Sequence, residues 1–95
     1  MSAYVVVQER VKDEATFDAY RKEVMPTIAA HGGRFIVRGG TMTVLEGEWP
    51  LPRLIILEFP SREAAETWYR SPAYQKILPL RLKSSTGNLV LVDGV

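Results

Sequence analysis

Two features of the sequence predict an α+β fold with a single antiparallel sheet. Segments rich in β-branched and aromatic residues alternate with segments whose apolar residues recur every three or four positions. Their order along the 95 residues is β-α-β-β-α-β. That length is too short for two ordinary domains, so residues 1–95 are read as one. Hydrophobic residues make up 46% and charged residues 24%, which is ordinary globular usage and argues against disorder.

The first strand is expected at Ala3 to Glu9, from its β-branched and aromatic content. A helix follows from about Asp13 or Glu14 to His31, with Phe17, Tyr20, Val24 and Ile28 on one apolar face. Asp13 and Glu14 suit its positive end, and Gly32-Gly33 offers a left-handed stop. Pro26 inside this pattern is expected to kink or split the helix. Two β runs come next, Arg34–Arg38 and Met42–Glu46, read as one strand bent at Gly39-Gly40, with a tight turn between two strands as the alternative. Gly47 to Pro52 forms a turn carrying Trp49.

Arg53 to Phe59, with four consecutive aliphatics, is the clearest strand. Pro60 ends it, and Ser61 caps a helix through Trp68, Tyr69 and Arg70. Ser71-Pro72 starts a short helix expected to reach about Leu78 and end near Pro79. A turn at Ser84 to Asn88 leads to a last strand, Leu89 to Asp93. This order is the split-βαβ, or ferredoxin-like, plait. Helices cover one face of such a sheet, so its strands should alternate apolar and polar residues. Tyr4–Val7, Leu54–Leu57 and Leu89–Val92 instead offer apolar side chains to both faces. The chain has no spare element to cover the second face, so a homodimer with a shared barrel-like core is expected.

Composition removes several function classes. Twelve Lys and Arg against eleven Asp and Glu give a net charge of +1, too little to favour nucleic acid or an anionic membrane. The absence of cysteine removes disulfides, thiol catalysis and thiolate metal sites. No apolar run is long enough to span a bilayer, and the first ten residues lack the pattern of a signal peptide. A soluble cytoplasmic protein is expected. The third strand, Arg-Leu-Ile-Ile-Leu-Glu-Phe, carries no pair of stacking rings at its centre, which argues against the RNA-recognition motif of the same strand order. Glycine pairs 32-33 and 39-40 match neither a dinucleotide fingerprint nor a P-loop. With a single histidine as well, no metal, haem, flavin or other cofactor is expected.

Nearly the whole chain resembles a known bacterial family. The runs Tyr20 to Ile28, His31 to Gly40, Leu45 to Trp49, Arg53 to Ser61 and Trp68 to Tyr74 are similar to those of the family called domain of unknown function 1330. The His31–Gly40 motif is the most specific of them. The resemblance implies the dimeric α+β barrel superfamily, which includes cofactor-free oxygenases, lactone isomerases, haem enzymes and amino-acid-sensing modules. It implies a fold and leaves the activity open.

The candidate site residues follow from their chemistry. His31, at the helix C-terminus, has the intrinsic pKa of a general acid or base, the plainer alternative being a side chain that bonds the last carbonyls or a neighbouring carboxylate. Strand parity puts Arg34, Ile36 and Arg38 on one face, where two guanidinium groups can fork a carboxylate or phosphate. Glu58 interrupts an aliphatic strand at a position that lets it pair with Arg34 or Arg38, leaving the other arginine for an anion. Tyr20 and Tyr69 are candidate hydrogen-bond donors, and Trp49 suits a ligand cleft or a dimer contact. His31, Arg34 and Arg38 are expected beside one cleft between helices and sheet that prefers small organic anions. A cofactor-independent enzyme, a non-catalytic metabolite binder and a purely structural dimer all fit these residues.

Overall fold

Alternation along the first strand decides the layering of the molecule. Ala3, Val5, Val7 and Glu9 are buried, while Tyr4, Val6 and Gln8 between them are only half-buried. The computed structural model describes residues 1–95, as β1 (Ala3–Val11), α1 (Glu14–Ala29), β2 (Arg34–Arg38), β3 (Arg53–Phe59), α2 (Arg62–Arg70), α3 (Pro72–Ser84) and β4 (Ser85–Asp93). The four strands form one sheet in the order β2-β3-β1-β4, with every neighbouring pair antiparallel. The three helices cover the face that carries Val5, Val7, Leu57 and Phe59. This is the expected ferredoxin-like α+β plait.

Local chemistry sets the helix ends. Asp13 accepts from the Thr16 N–H at the start of α1, at 3.2 Å. Ser61 and Ser71 accept from Ala64 and Tyr74 N–H at 3.1 and 3.2 Å, and Pro72 occupies the first turn of α3. Beyond α1, Gly32 takes a φ of 76°. There the Gly32 and Gly33 N–H groups donate back to Ala29 and Ile28 carbonyls, the paired bonds of a glycine-terminated helix. Trp68 of α2 is pinned across the core, its indole N–H donating to Thr27 Oγ1 at 3.0 Å.

The opposite face of the sheet carries no helix. On it Val90 and Val92 of β4 are 55% and 48% exposed, beside exposed Ile36 and half-buried Val6, Leu54 and Ile56. The two-sided apolar character of these strands is therefore real.

Four expectations need correction. Met42–Glu46 is not a strand; residues 40–52 run without regular structure, and all but half-buried Leu51 are exposed. An extended β2 would have to pair with the segment preceding β3, where Pro50 and Pro52 lack the N–H a ladder needs. Pro26 does not split α1, which runs on to Ala29. The helix begun at Pro72 does not end near Pro79 but continues to Ser84. Pro79 forfeits only the bond to the Gln75 carbonyl, on an exposed residue that water can reach, while Tyr74, Ile77, Leu78 and Arg81 keep one buried stripe. The turn expected at Ser84 to Asn88 is absent, because β4 starts at Ser85 and pairs with Val11 at once. The Ser84 carbonyl fixes that junction by accepting from both Lys12 and Asp13 N–H groups. At the other end of the same strand pair, the Gly94 N–H donates to the Ser2 carbonyl at 2.8 Å.

Candidate functional site

A β-bulge in β2 decides which charged side chains meet. Arg34 pairs with Glu58 and Phe35 with Leu57, but the next pairs are Val37 with Ile56 and Arg38 with Ile55. The extra residue, Ile36, inverts the parity that follows it. The shared face expected for Arg34, Ile36 and Arg38 is therefore corrected: Arg34 lies on the helix-free face and Arg38 turns toward the helices. Arg34 places Nε and Nη2 at 2.8 and 2.7 Å from Glu58 Oε1, and the Tyr4 hydroxyl donates to Oε2 at 3.2 Å. The Arg34 hydrogen bond, followed by that from Tyr4, holds the Glu58 carboxyl below its usual range.

On the helix side, the sheet and α1, α2 and α3 enclose a cavity of about 290 Å³. That is near the lower end of the ~300–1,000 Å³ typical of ligand pockets, so it suits a small guest. Its walls are largely aromatic and aliphatic, with Phe17, Tyr20, Phe35, Trp68 and Tyr74 contributing rings. Its charged lining is one carboxylate, Glu9, and four guanidinium groups, Arg21, Arg38, Arg53 and Arg81. Arg21 already pairs outward with Asp18 and Glu14. Three arginines thus remain against one glutamate, and the interior is electropositive.

These charges sit deep. Glu9 is 1% exposed and Arg81 7%. Glu9 and Arg53 are direct cross-strand partners, with Oε2 and Nε 3.3 Å apart but out of hydrogen-bond alignment. The Glu9 Oε2, Arg53 Nε and Arg81 Nε atoms are all buried without a hydrogen-bond partner. Burial pushes the Glu9 carboxyl up, against the pull of Arg53, Arg81 and Arg21. The Tyr20 and Tyr74 hydroxyls bond each other at 2.9 Å, and burial raises both pKa values. Both therefore stay protonated, and whichever accepts within the pair keeps its proton to donate elsewhere. Arg38 stacks over Phe35 with its guanidinium carbon 5.0 Å from the ring centre, near exposed Met25 at the mouth.

Of the residues singled out from sequence, the cavity unites Tyr20 and Arg38. His31 lies outside it, in a surface groove with Glu63, Glu66 and Arg70, and its Nδ1 donates to the Thr27 carbonyl at 2.9 Å. Glu58 and Arg34 hold each other on the other face. Tyr69 packs on the Trp68 and Tyr74 rings and faces a separate shallow groove. Trp49 is exposed on the long loop. Arg34 and Arg38 line one open groove along β2, but His31 is not in it, so the expected cleft of all three does not form. Glu9, Arg53 and Arg81 were missed, although parity with Val5 and Val7 marks Glu9. The 74, 77, 78, 81 spacing likewise marks Arg81. No cluster of three His, Asp or Glu side chains suited to a metal ion occurs, and no helix is long and apolar enough to cross a membrane.

This geometry can be set beside known proteins. The family model described as domain of unknown function (DUF1330) matches residues 2–95. The chain belongs to the DUF1330 family. Its fold recurs in the RPA0582 protein of unknown function from Rhodopseudomonas palustris, at 18% identity and a TM-score of 0.79, covering 99% of this DUF1330 chain and 82% of that one. A dimeric ferredoxin-like protein of unknown function from Jannaschia sp. CCS1 aligns at 15% identity and a TM-score of 0.67, over 99% and 100% of the two chains. SnoaB, a cofactor-independent oxygenase from Streptomyces nogalater, aligns at 14% identity and a TM-score of 0.66, over 99% and 93%. At these identities the likeness concerns the fold of the DUF1330 chain alone. No curated protein matches it.

Proposed function

We propose that the cavity between helices and sheet binds a small organic anion with an aromatic or flat apolar body. The observation that carries this reading is the Arg81 guanidinium, more than nine-tenths buried, with its Nε unpartnered and no carboxylate paired to it. A buried cation with no carboxylate at ion-pair distance costs free energy that an anionic guest would offset. Arg81 and Arg53 hold the carboxylate, Arg38 guards the mouth, and Tyr20 donates a hydrogen bond. The rings of Phe17 and Trp68 sandwich the body of the guest. A site that works without a bound cofactor is supported by the fold shared with SnoaB, itself a cofactor-independent oxygenase.

Trp68 lines the cavity and reports occupancy. In a Trp49→Phe background its fluorescence is titrated with benzoate, phenylacetate and phenylpyruvate, and with the neutral amides as controls. The carboxylates should change the signal and the amides should not, and Arg81→Met should weaken carboxylate binding at least tenfold. Equal response to acid and amide, or an Arg81→Met variant that binds as tightly, would overturn the reading.

We also infer that a second copy of the chain covers the helix-free face of the sheet. The exposed Val90, Val92 and Ile36 and the dimeric Jannaschia neighbour support this. The cavity lies on the other face of the sheet, so the dimer would stiffen its floor while leaving its mouth open.

A further inference from the structure

Resting on the anion-binding reading, we infer that Glu9 is a proton acceptor for a bound oxo acid, drawing the proton from the carbon next to the carbonyl. An interior glutamate kept only as a structural counter-ion normally accepts aligned N–H bonds from its arginine. Here Glu9 Oε2 has no hydrogen-bond partner, although Arg53 Nε lies 3.3 Å away, and the residue is 99% removed from solvent. Its carboxylate instead lines a cavity whose other charged groups, Arg21, Arg38, Arg53 and Arg81, are all donors, and whose Tyr20 and Tyr74 hydroxyls bond each other. One acceptor among donors is the arrangement enolisation needs, because the charge developing on the carbonyl oxygen meets N–H and O–H groups while the carbon-bound proton meets a carboxylate.

Atoms and electrons balance without a further reactant. The C–H bond breaks, its proton passes to a Glu9 oxygen, and its electron pair forms the C=C bond as the carbonyl becomes an enolate. Arg53 and Arg81 hold the enolate oxygen and the acid group. Glu9 then returns the proton, to oxygen to give the enol, or to a carbon to give an isomer. The net change is a tautomerisation, so no oxidant, metal or cofactor is consumed. The charged groups facing Glu9 are Arg53, Arg81 and Arg21, and its charge also acts on the Tyr20 hydroxyl. Burial raises the carboxyl's affinity for a proton, which makes it a stronger base than an exposed glutamate. His31, the other conventional base, lies outside the cavity.

Glu9 lies on β1 between two structural supports. Arg53 is its register partner on β3, and Gly87 is its register partner on β4. A Cβ at Gly87 would come within 2.9 Å of the Glu9 Cβ, so the glycine opens the space in which the glutamate stands.

The test uses the full chain and phenylpyruvate as probe. Loss of the benzylic protons in deuterated buffer is followed by NMR, and affinity by Trp68 fluorescence. The protein should accelerate exchange above the buffer rate, and Glu9→Gln should lower that acceleration by about a hundredfold or more while changing affinity less than about threefold. The rate should rise with pH through one ionisation that Glu9→Gln lacks. Glu9→Asp, which keeps the charge one methylene short, should retain affinity and part of the rate. It also serves if the glutamine variant fails to fold. Binding without acceleration, or a Glu9→Gln variant that exchanges as fast as the unaltered chain, would overturn the role of Glu9 and leave anion binding standing. A protein that binds neither phenylpyruvate nor any other carboxylate would overturn both.

Discussion

Arg34 and Arg38, four residues apart on β2, face opposite sides of the sheet. A strand without irregularity would put them together. The single extra residue, Ile36, sends one arginine to close an exposed ion pair and the other to the mouth of an internal cavity. The bulge thus divides the basic residues of one short segment between two tasks.

That division makes the two arginines distinguishable by substitution. Arg34→Met should leave carboxylate binding unchanged and the melting temperature almost so, since the Arg34 side chain is largely exposed and surface pairs contribute little. Arg53→Met should weaken carboxylate binding by about 1.5–3 kcal/mol, the range for a hydrogen bond to a charged group. Calorimetric titration of both variants checks this, and a loss of affinity in Arg34→Met would count against the cavity as the binding site.

Glu9 sets a pH dependence of stability whose sign is opposite to the usual carboxylate. Its pKa in the folded chain is raised above the ordinary 4.5, so the folded state holds the proton longer than the unfolded one. This group therefore costs stability as pH rises through 4.5 toward its raised value. The melting temperature of the unaltered chain should fall relative to that of Glu9→Gln between pH 4 and pH 7. Asp13 and Glu58 are shifted down and act the other way, their contribution disappearing as pH falls. Subtracting the Glu9→Gln curve isolates Glu9, and a difference that stays flat or changes sign would refute the assignment.

Gly87 and Gly40 should respond very differently to the same change. A Cβ at Gly87 would approach the Gln8 carbonyl to 2.5 Å and the Glu9 Cβ to 2.9 Å, whereas one at Gly40 meets nothing within 4 Å. Gly87→Ala should therefore cost about 1–3 kcal/mol, as overpacking does. Gly40→Ala should be close to neutral. Urea unfolding of the two variants provides the comparison.

Light scattering at micromolar concentration should give twice the 10.7 kDa chain mass. Val90→Asp, on the apolar helix-free face, should drive the protein to monomer. A monomer mass for the unaltered chain would remove the second copy from the account.

The fold was legible because each element announced itself locally. The period-two burial of Ala3, Val5 and Val7, the Phe17–Tyr20–Val24–Ile28 stripe and the Ser61 and Ser71 caps all depend on near neighbours. The site was legible only in part. Tyr20 could be placed from its helix stripe, but Arg38 could be assigned to a face only by knowing that Ile36 is extra, and a bulge arises from pairing with β3 rather than from β2 alone. Arg81 was hidden because a proline such as Pro79 reads as the end of a helix, although the loss of one bond to a solvent-facing carbonyl is easily borne. Glu9 carried the plainest signal, a charge on the parity of buried valines.

The bond between Gly94 and Ser2 places the two ends of residues 2–94 side by side on adjacent strands. The exposed segment 40–52 lies between β2 and β3, the only consecutive strands with no helix between them. A few glycines could therefore join Gly94 to Ser2, and new ends could be opened at Gly47, giving the order β3-α2-α3-β4-β1-α1-β2 with every strand neighbour retained. In that rearranged chain Arg53 and Arg81 would be synthesised before Glu9, yet all three would still meet in the same cavity.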